Sequence, residues 1–204
     1  MPRLVDHDAR RREIAAALWR VVRRDGIDQV SVRTVAAEAG TSPGALRHYF
    51  ASNDELAAFS LRAVVAAAET RLVGLLPGRT GRDAAVTLLE QYLPLDDERR
   101  DELAVWFGFL GRPPTAPALR RVREAAEARS REGVAVAVDH LAGVGAVHPG
   151  RDREACVAGL YPLVDGLALH GTLWPERYPP AHLRAVLARA VDDLASAPGS
   201  PPPS

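Results

Sequence analysis

Apolar residues in this chain recur at helical spacing from end to end, and the alternating runs that mark half-buried strands are missing. That restricts the chain to helix packed on helix, and the fold class is read as all-α. The first run extends from about Asp8 to Asp25, with Ile14, Leu18, Val21 and Val22 as its stripe and Gly26 in the place of a C-terminal cap. Ser31 is the expected N-cap of a second run whose apolar face is Val32, Val35, Ala36 and Ala39, ending at Gly40. Ser42 caps a very short third run, Pro43 takes a first helical position where a missing N–H costs nothing, and Leu46 and Phe50 face inward. A capping box of Ser52 and Glu55 opens a fourth helix to about Leu76, and Pro77-Gly78 closes it. Longer amphipathic runs follow at roughly 81–93, 96–111, 115–143, 152–173 and 180–196, broken by Pro94, Gly111 to Pro114, His148-Pro149-Gly150 and Pro175 to Pro180.

Composition bounds what such a chain does. With 47% hydrophobic and 25% charged residues over 204 positions, it has material for a proper core. The single cysteine, Cys156, excludes an internal disulfide and any multi-cysteine zinc pattern, and fits a reducing cytoplasm. The start, MPRLVDHDARRRE, has no apolar core of a secretory signal. Residues 155–175 (ACVAGLYPLVDGLALHGTLWP) are long enough to span a bilayer. Asp165 would then sit near its middle and Pro162 interrupts the stretch, so a helix buried in the protein or between subunits is expected instead, with no membrane partner. All 26 basic residues are arginine, and the formal net charge is zero. The balance is uneven: residues 1–50 hold nine arginines against six acidic residues, or +3, which points to a local anionic partner at that end.

A helix this short is marginal alone in water, so the segment AEAGTSPGALRHYF (37–50) has to pack on a neighbour. Helix, tight glycine turn and short helix form the helix-turn-helix plan, in which the second helix enters the major groove of double-stranded DNA. The small Gly44 and Ala45 leave room for a base edge beside Arg47, whose guanidinium can donate twice to guanine. Thr41, His48 and Tyr49 are donors of a size that suits phosphate oxygens. The N-terminus of the next helix, near Ser52 and Asn53, adds backbone N–H groups. The same turn occurs in many helical proteins, where His48-Tyr49 is simply a surface pair.

The stretch VSVRTVAAEAGTSPGALRHYFASNDELAAF (30–59) resembles the N-terminal domain of the TetR family of bacterial transcriptional regulators. LPLDDERRDELAVWFGFL (93–110) and DGLALHGTLWPERYPPAHL (165–183) are similar to the BetI-like ligand domain of one subgroup. The resemblance implies DNA contacts from Arg33 and Thr34, base reading by Pro43, Gly44 and Arg47, and phosphate contacts by His48 and Tyr49. Asn53 stands where the family usually carries lysine, and Arg10, Arg11 and Arg12 are candidates to compensate. The organisation expected is a helix-turn-helix domain at 1–51, a helical ligand-binding and dimerisation domain at 52–196, and a disordered proline-rich tail at 197–204.

The last two helices are implied to pair with their copies in a homodimer. Ala155, Gly159, Leu163 and Leu167 on one helix and Leu183, Leu187 and Val191 on the other are the interface candidates. The first of these helices is apolar nearly all round and needs cover on most sides, which a two-fold interface supplies. Two recognition helices then read an inverted repeat. For a pocket that holds a small-molecule effector, the candidates are Tyr92, Trp106, Phe109, Leu110, Asp165, His170 and Trp174. Ordinary core packing accounts for most aromatics, and a satisfied core histidine for His170. Asp165 on an apolar helix needs a partner, either an arginine or a cationic ligand framed by Trp106 and other aromatics.

An enzyme is the rival from another class. The six histidines form no HExxH or Glu-x-x-His pair, and Ser42-Pro43-Gly44 lacks the strand and glycine of a nucleophile elbow, so no catalytic residue, metal or cofactor is expected. The reading is a ligand-responsive repressor. The alternative keeps the helix-turn-helix and has the body bind a protein partner.

Overall fold

The structure, a computed structural model, describes residues 7–26, 29–110 and 117–197. Its helices are α1 (His7–Asp25), α2 (Val32–Glu38), α3 (Pro43–Arg47), α4 (Asn53–Leu75), α5 (Gly81–Glu90), α6 (Asp97–Leu110), α7 (Pro117–Ala142), α8 (Arg153–Leu173) and α9 (Pro180–Asp192), with a 3-10 turn at Asp193–Ala195. No strand occurs among the described residues, as the periodicity requires. The expected tail falls, from residue 198 on, outside the described residues.

Local chemistry sets most boundaries. Asp152 caps α8 by accepting from the Ala155 N–H at 2.9 Å. Ser52 caps α4 by accepting from the Glu55 N–H at 3.1 Å, but Glu55 reaches one residue further back than a standard box and accepts from the Ala51 N–H at 2.8 Å. Helix α5 stops at Glu90 rather than near 93, because Gln91, Tyr92 and Leu93 turn more tightly, each N–H donating to the carbonyl three residues back.

The chain divides into two compact units. The first comprises the described residues up to Ala67 together with Asp101–Ala126. Its core joins Ile14 and Leu18 of α1, Val35 and Ala36 of α2, Leu46 and Phe50, Leu56 and Leu61 of α4, and Val105, Phe109 and Leu119. The short α2 and α3 are therefore held by burial, not by intrinsic propensity. On the outside, Glu38 of α2 accepts from Arg20 at 2.7 Å and Arg24 at 2.8 Å of α1, which hold its carboxyl below the usual carboxylate range.

The second unit comprises Ala68–Arg100 and the described residues from Glu127 on. Leu88, Leu89 and Leu93 after α4, Val134, Val138 and Leu141 of α7, and Val157, Leu160 and Val164 of α8 are buried there. Leu183, Leu187 and Val191 are 0%, 0% and 1% exposed, so α9 spends its leucine stripe within its own unit. Ion pairs Arg82–Asp192 at 2.7 Å, Arg184–Glu90 at 3.1 Å and Arg153–Asp139 at 2.6 Å tie helices at the surface, where each contributes little. By length and composition α8 is apolar enough to cross a membrane. One side of it is buried in the unit, and the other, with Ala155, Ala158, Gly159, Pro162, Asp165, His170 and Leu173, is open.

Candidate nucleic-acid interface

The turn between α2 and α3 is built from backbone and capping chemistry. Ser31 Oγ accepts from the Thr34 N–H at 3.1 Å, and Thr34 Oγ1 accepts from the Ser31 N–H at 3.0 Å. Gly40 lies at φ +62°, a conformation that costs glycine nothing, and the Thr41 N–H then closes onto the Ala36 carbonyl at 2.9 Å. Ser42 Oγ accepts from the Ala45 N–H at 3.0 Å, with Pro43 in the first helical position. Of the five residues of α3 only Leu46 is buried, so Pro43, Gly44 and Arg47 stand open, with His48 beside them.

Charge separates the arginines that build the unit from those left over. Arg10 pairs with Glu13 at 2.6 Å, Arg23 with Asp101 at 2.9 Å, and Arg20 and Arg24 with Glu38. Arg33 on α2 and Arg47 on α3 are exposed and have no ion-pair or hydrogen-bond partner among the described residues. Two unspent guanidinium groups on the two helices of the motif can take phosphate oxygens or guanine edges.

Three expected contacts have other duties. The Thr34 hydroxyl has one proton, which goes to the Gln29 carbonyl at 2.6 Å, so Thr34 holds the start of α2 instead of offering a donor outward. Arg11 is not an arm residue: its Nη2 donates to the Tyr49 carbonyl at 3.3 Å, and its guanidinium lies 5.6 Å from the Phe50 ring centroid and 5.9 Å from that of Phe59. Asn53 is exposed, and its Oδ1 accepts from the Val32 N–H at 3.2 Å. Thr41 and Tyr49 are half-buried. Neither the Arg11 bond to Tyr49 nor the Asn53 bond is visible in sequence spacing, since the partners lie 38 and 21 residues away.

Of the expected pocket residues, Trp106, Phe109 and Leu110 belong to the first unit, and Tyr92, Asp165, His170 and Trp174 to the second. Phe109 is 4% exposed in the core of the first unit, with Trp106 packed against that core, and the Leu110 carbonyl accepts from Arg123 at 3.0 Å. The side chains of Phe109 and Trp106 are accounted for by packing. His170 and Trp174 lie at the open end of α8, their rings 5.4 Å apart, and the His170 ring is 5.1 Å from that of Tyr178. Trp174 is 52% exposed, so the pair sits at the surface of the second unit.

Tyr92 and Asp165 do share surroundings. Tyr92 is half-buried against α7, where a Cβ on Gly133 would collide with its hydroxyl, and burial pushes that phenol up. Asp165 is hydrogen-bonded by Tyr161 one turn back on α8, and its carboxyl is raised, first by desolvation and then by the charge of Glu127, against the pull of the Tyr161 hydroxyl. Tyr161 is raised too, by burial and then by Asp165, with smaller contributions from Glu127 and Tyr92. Asp165 and Tyr161 are thus coupled along α8, with the charge of Glu127 acting on both and Tyr92 acting on Tyr161. Tyr161 is legible in hindsight from its i, i+4 spacing to Asp165, whereas Glu127 is not. A separate open groove of about 340 Å³ at the start of α5 and the end of α7 is lined by Thr80, Gly81, Val136, Asp139, His140, Gly143 and Val144, none of them an expected pocket residue.

Known proteins carry the same plan. Residues 14–59 match the model described as bacterial regulatory proteins, tetR family, and residues 81–196 match that of the BetI-type transcriptional repressor, C-terminal. The HTH-type transcriptional regulator PksA of Bacillus subtilis (strain 168) is 33% identical over 201 residues, covering 95% of this chain and 94% of the relative. A solved transcriptional regulator from Rhodococcus sp. Rha1 superposes with a TM-score of 0.78 at 32% identity over 92% of this chain and 99% of that one. Another, from Saccharomonospora viridis and solved in complex with choline, gives 0.78 at 27% identity over 88% and 94%. With the helix-turn-helix unit and the body each matched, and a relative a third identical along nearly the whole chain, this protein belongs to the TetR family of DNA-binding transcriptional regulators, with a C-terminal region of the BetI type.

Proposed function

We propose that the chain is a homodimeric repressor that binds an inverted-repeat operator and releases it when a small organic cation enters the body. The observation that carries the DNA half is Arg47, an exposed, unpaired guanidinium on a capped helix whose neighbours Pro43 and Gly44 present no bulk. Arg33 on α2 supplies a second cation toward the same duplex. Selection from random DNA is expected to return an inverted repeat. Arg47→Ala should weaken that site by about 1–3 kcal/mol and relax its preference at one position in each half. Uniform weakening over all sequences would instead make Arg47 a phosphate contact.

Dimerisation is supported by the open side of α8. Gly159 and Gly166 have nothing within 4 Å of where a Cβ would stand, and Ala155 and Ala158 continue the same small-residue face. In place of the buried Leu183, Leu187 and Val191, α9 offers its outward residues Ala181, His182 and Ala185.

For the effector, the choline held by the Saccharomonospora viridis relative and the Asp165, Tyr161, Tyr92 and Glu127 group favour a quaternary ammonium or similar cation. Such a ligand switches the protein only if it prefers the conformation that does not fit DNA. Choline binding is expected to weaken as pH falls, since only the ionised carboxylate attracts a cation. Because the Asp165 carboxyl is raised, that loss begins at a higher pH than for an ordinary aspartate. Asp165→Asn should cost about 1 kcal/mol of choline affinity at neutral pH and flatten the profile. Calorimetry across the acid range checks both, and an affinity indifferent to pH and to the substitution counts against the site.

A further inference from the structure

We propose that Asn53 is a positioning residue: its carbonyl oxygen fastens the start of α2 to the start of α4 and leaves its NH2 group toward the DNA backbone. The bond is the one from the Val32 N–H at 3.2 Å, across 21 residues of chain. Its donor is a backbone N–H, so the atom facing Val32 has to be the oxygen and the orientation of the amide is settled by chemistry. The two arms of a planar amide diverge, so the nitrogen points away from α2; it has no partner among the described residues, and Asn53 is exposed.

What this holds matters because α2 is only seven residues long. Its other ties at that end are local: Ser31 takes the Thr34 N–H, Thr34 takes the Ser31 N–H, and the Val35 N–H closes on the Ser31 carbonyl. These shape the first turn without fixing where it stands. The Asn53 bond alone among them reaches another helix, and it joins the element carrying Arg33 to the helix that follows the recognition segment. A lysine at 53 would add a cation and lose the acceptor. This chain therefore trades a phosphate charge for a fixed spacing between α2 and α4, and operator discrimination, more than overall affinity, depends on it. The inference rests on the DNA-binding assignment above.

The test compares three variants of the full-length protein by amide exchange at Val32 and by affinity for the selected operator and for random DNA over a range of salt. Asn53→Asp keeps the acceptor and suits the N-terminus of α4. It should leave Val32 protection and the operator-to-random ratio as they are, weaken binding to both DNAs, and make the salt slope shallower. Asn53→Ala should speed Val32 exchange by roughly 3- to 10-fold, the scale of one hydrogen bond. It should lower the operator-to-random ratio by a similar factor with the salt slope unchanged, an outcome that loss of a phosphate contact does not produce. Asn53→Lys should show the same fast exchange and lowered ratio while steepening the salt slope by about 0.9 per subunit. Unchanged Val32 exchange in Asn53→Ala, or an unchanged ratio, overturns the proposal. If no variant nor the parent binds DNA, the family-level reading fails, while the Val32 exchange still decides whether the bond holds α2.

Discussion

Phe50→Ala is expected to destabilise the DNA-binding unit by about 3–5 kcal/mol, the cost of emptying a buried phenylalanine site. Phe50 is 1% exposed and lies at the junction of everything that supports α3. Its ring centroid is 5.2 Å from that of Phe59 on α4, Arg11 of α1 stacks on both rings, and its N–H closes the short helix onto the Leu46 carbonyl at 3.0 Å. A five-residue helix has no stability of its own to fall back on. Operator binding should vanish while the ellipticity of the second unit persists, giving a denaturation curve with an early separate transition. Phe50→Leu, which fills much of the space, should cost far less. A loss below about 1 kcal/mol in Phe50→Ala would mean that the unit collapses around the gap and that α3 is held by its caps.

Gly159→Glu is expected to leave each subunit folded and to abolish dimerisation. Nothing in the subunit stands within 4 Å of a side chain at this position, so the substitution meets no clash at home. Against a second copy it would place a charge in the middle of the small-residue face formed with Ala155, Ala158 and Gly166, where it has no partner. Because two half-sites bound by one dimer gain from effective concentration, operator affinity should drop by about 10²- to 10⁴-fold, while half-site binding stays the same. Sedimentation at micromolar protein and a thermal melt of the same sample decide it. A variant that stays dimeric moves the interface away from the open side of α8.

Arg11 marks the limit of charge counting. Three consecutive arginines in a net-positive N-terminal segment suggest an arm for phosphate, but Arg10 is paired with Glu13 and Arg11 is used to brace the Tyr49-Phe50 end of α3. The surplus that charge counting detects is real, and among the described residues of this segment it resides at Arg12 of α1 together with Arg33 and Arg47, exposed guanidinium groups without an ion pair. The same lesson applies to the aromatics. A stretch such as AVWFGFL announces bulky side chains without saying which core receives them, and Phe109 fills the first unit.

The ends of α5 and α9 fall short of the expected 93 and 196, but the all-helical class, most helix limits, the Ser31 and Ser42 caps, the Gly40 turn and the inward stripe of α1 were legible in the chain alone. Each depends on residues within about one turn of one another, where periodicity and capping rules operate. Tertiary structure alone decided that α9 turns Leu183, Leu187 and Val191 inward, that the charge of Glu127 reaches Asp165, that the Thr34 hydroxyl is spent on Gln29, and that Asn53 grips Val32. Most of these outcomes depend on which surfaces distant segments present to one another once packed. A helix with apolar residues on several sides, or a polar side chain with several possible partners, leaves that choice open until its neighbours arrive.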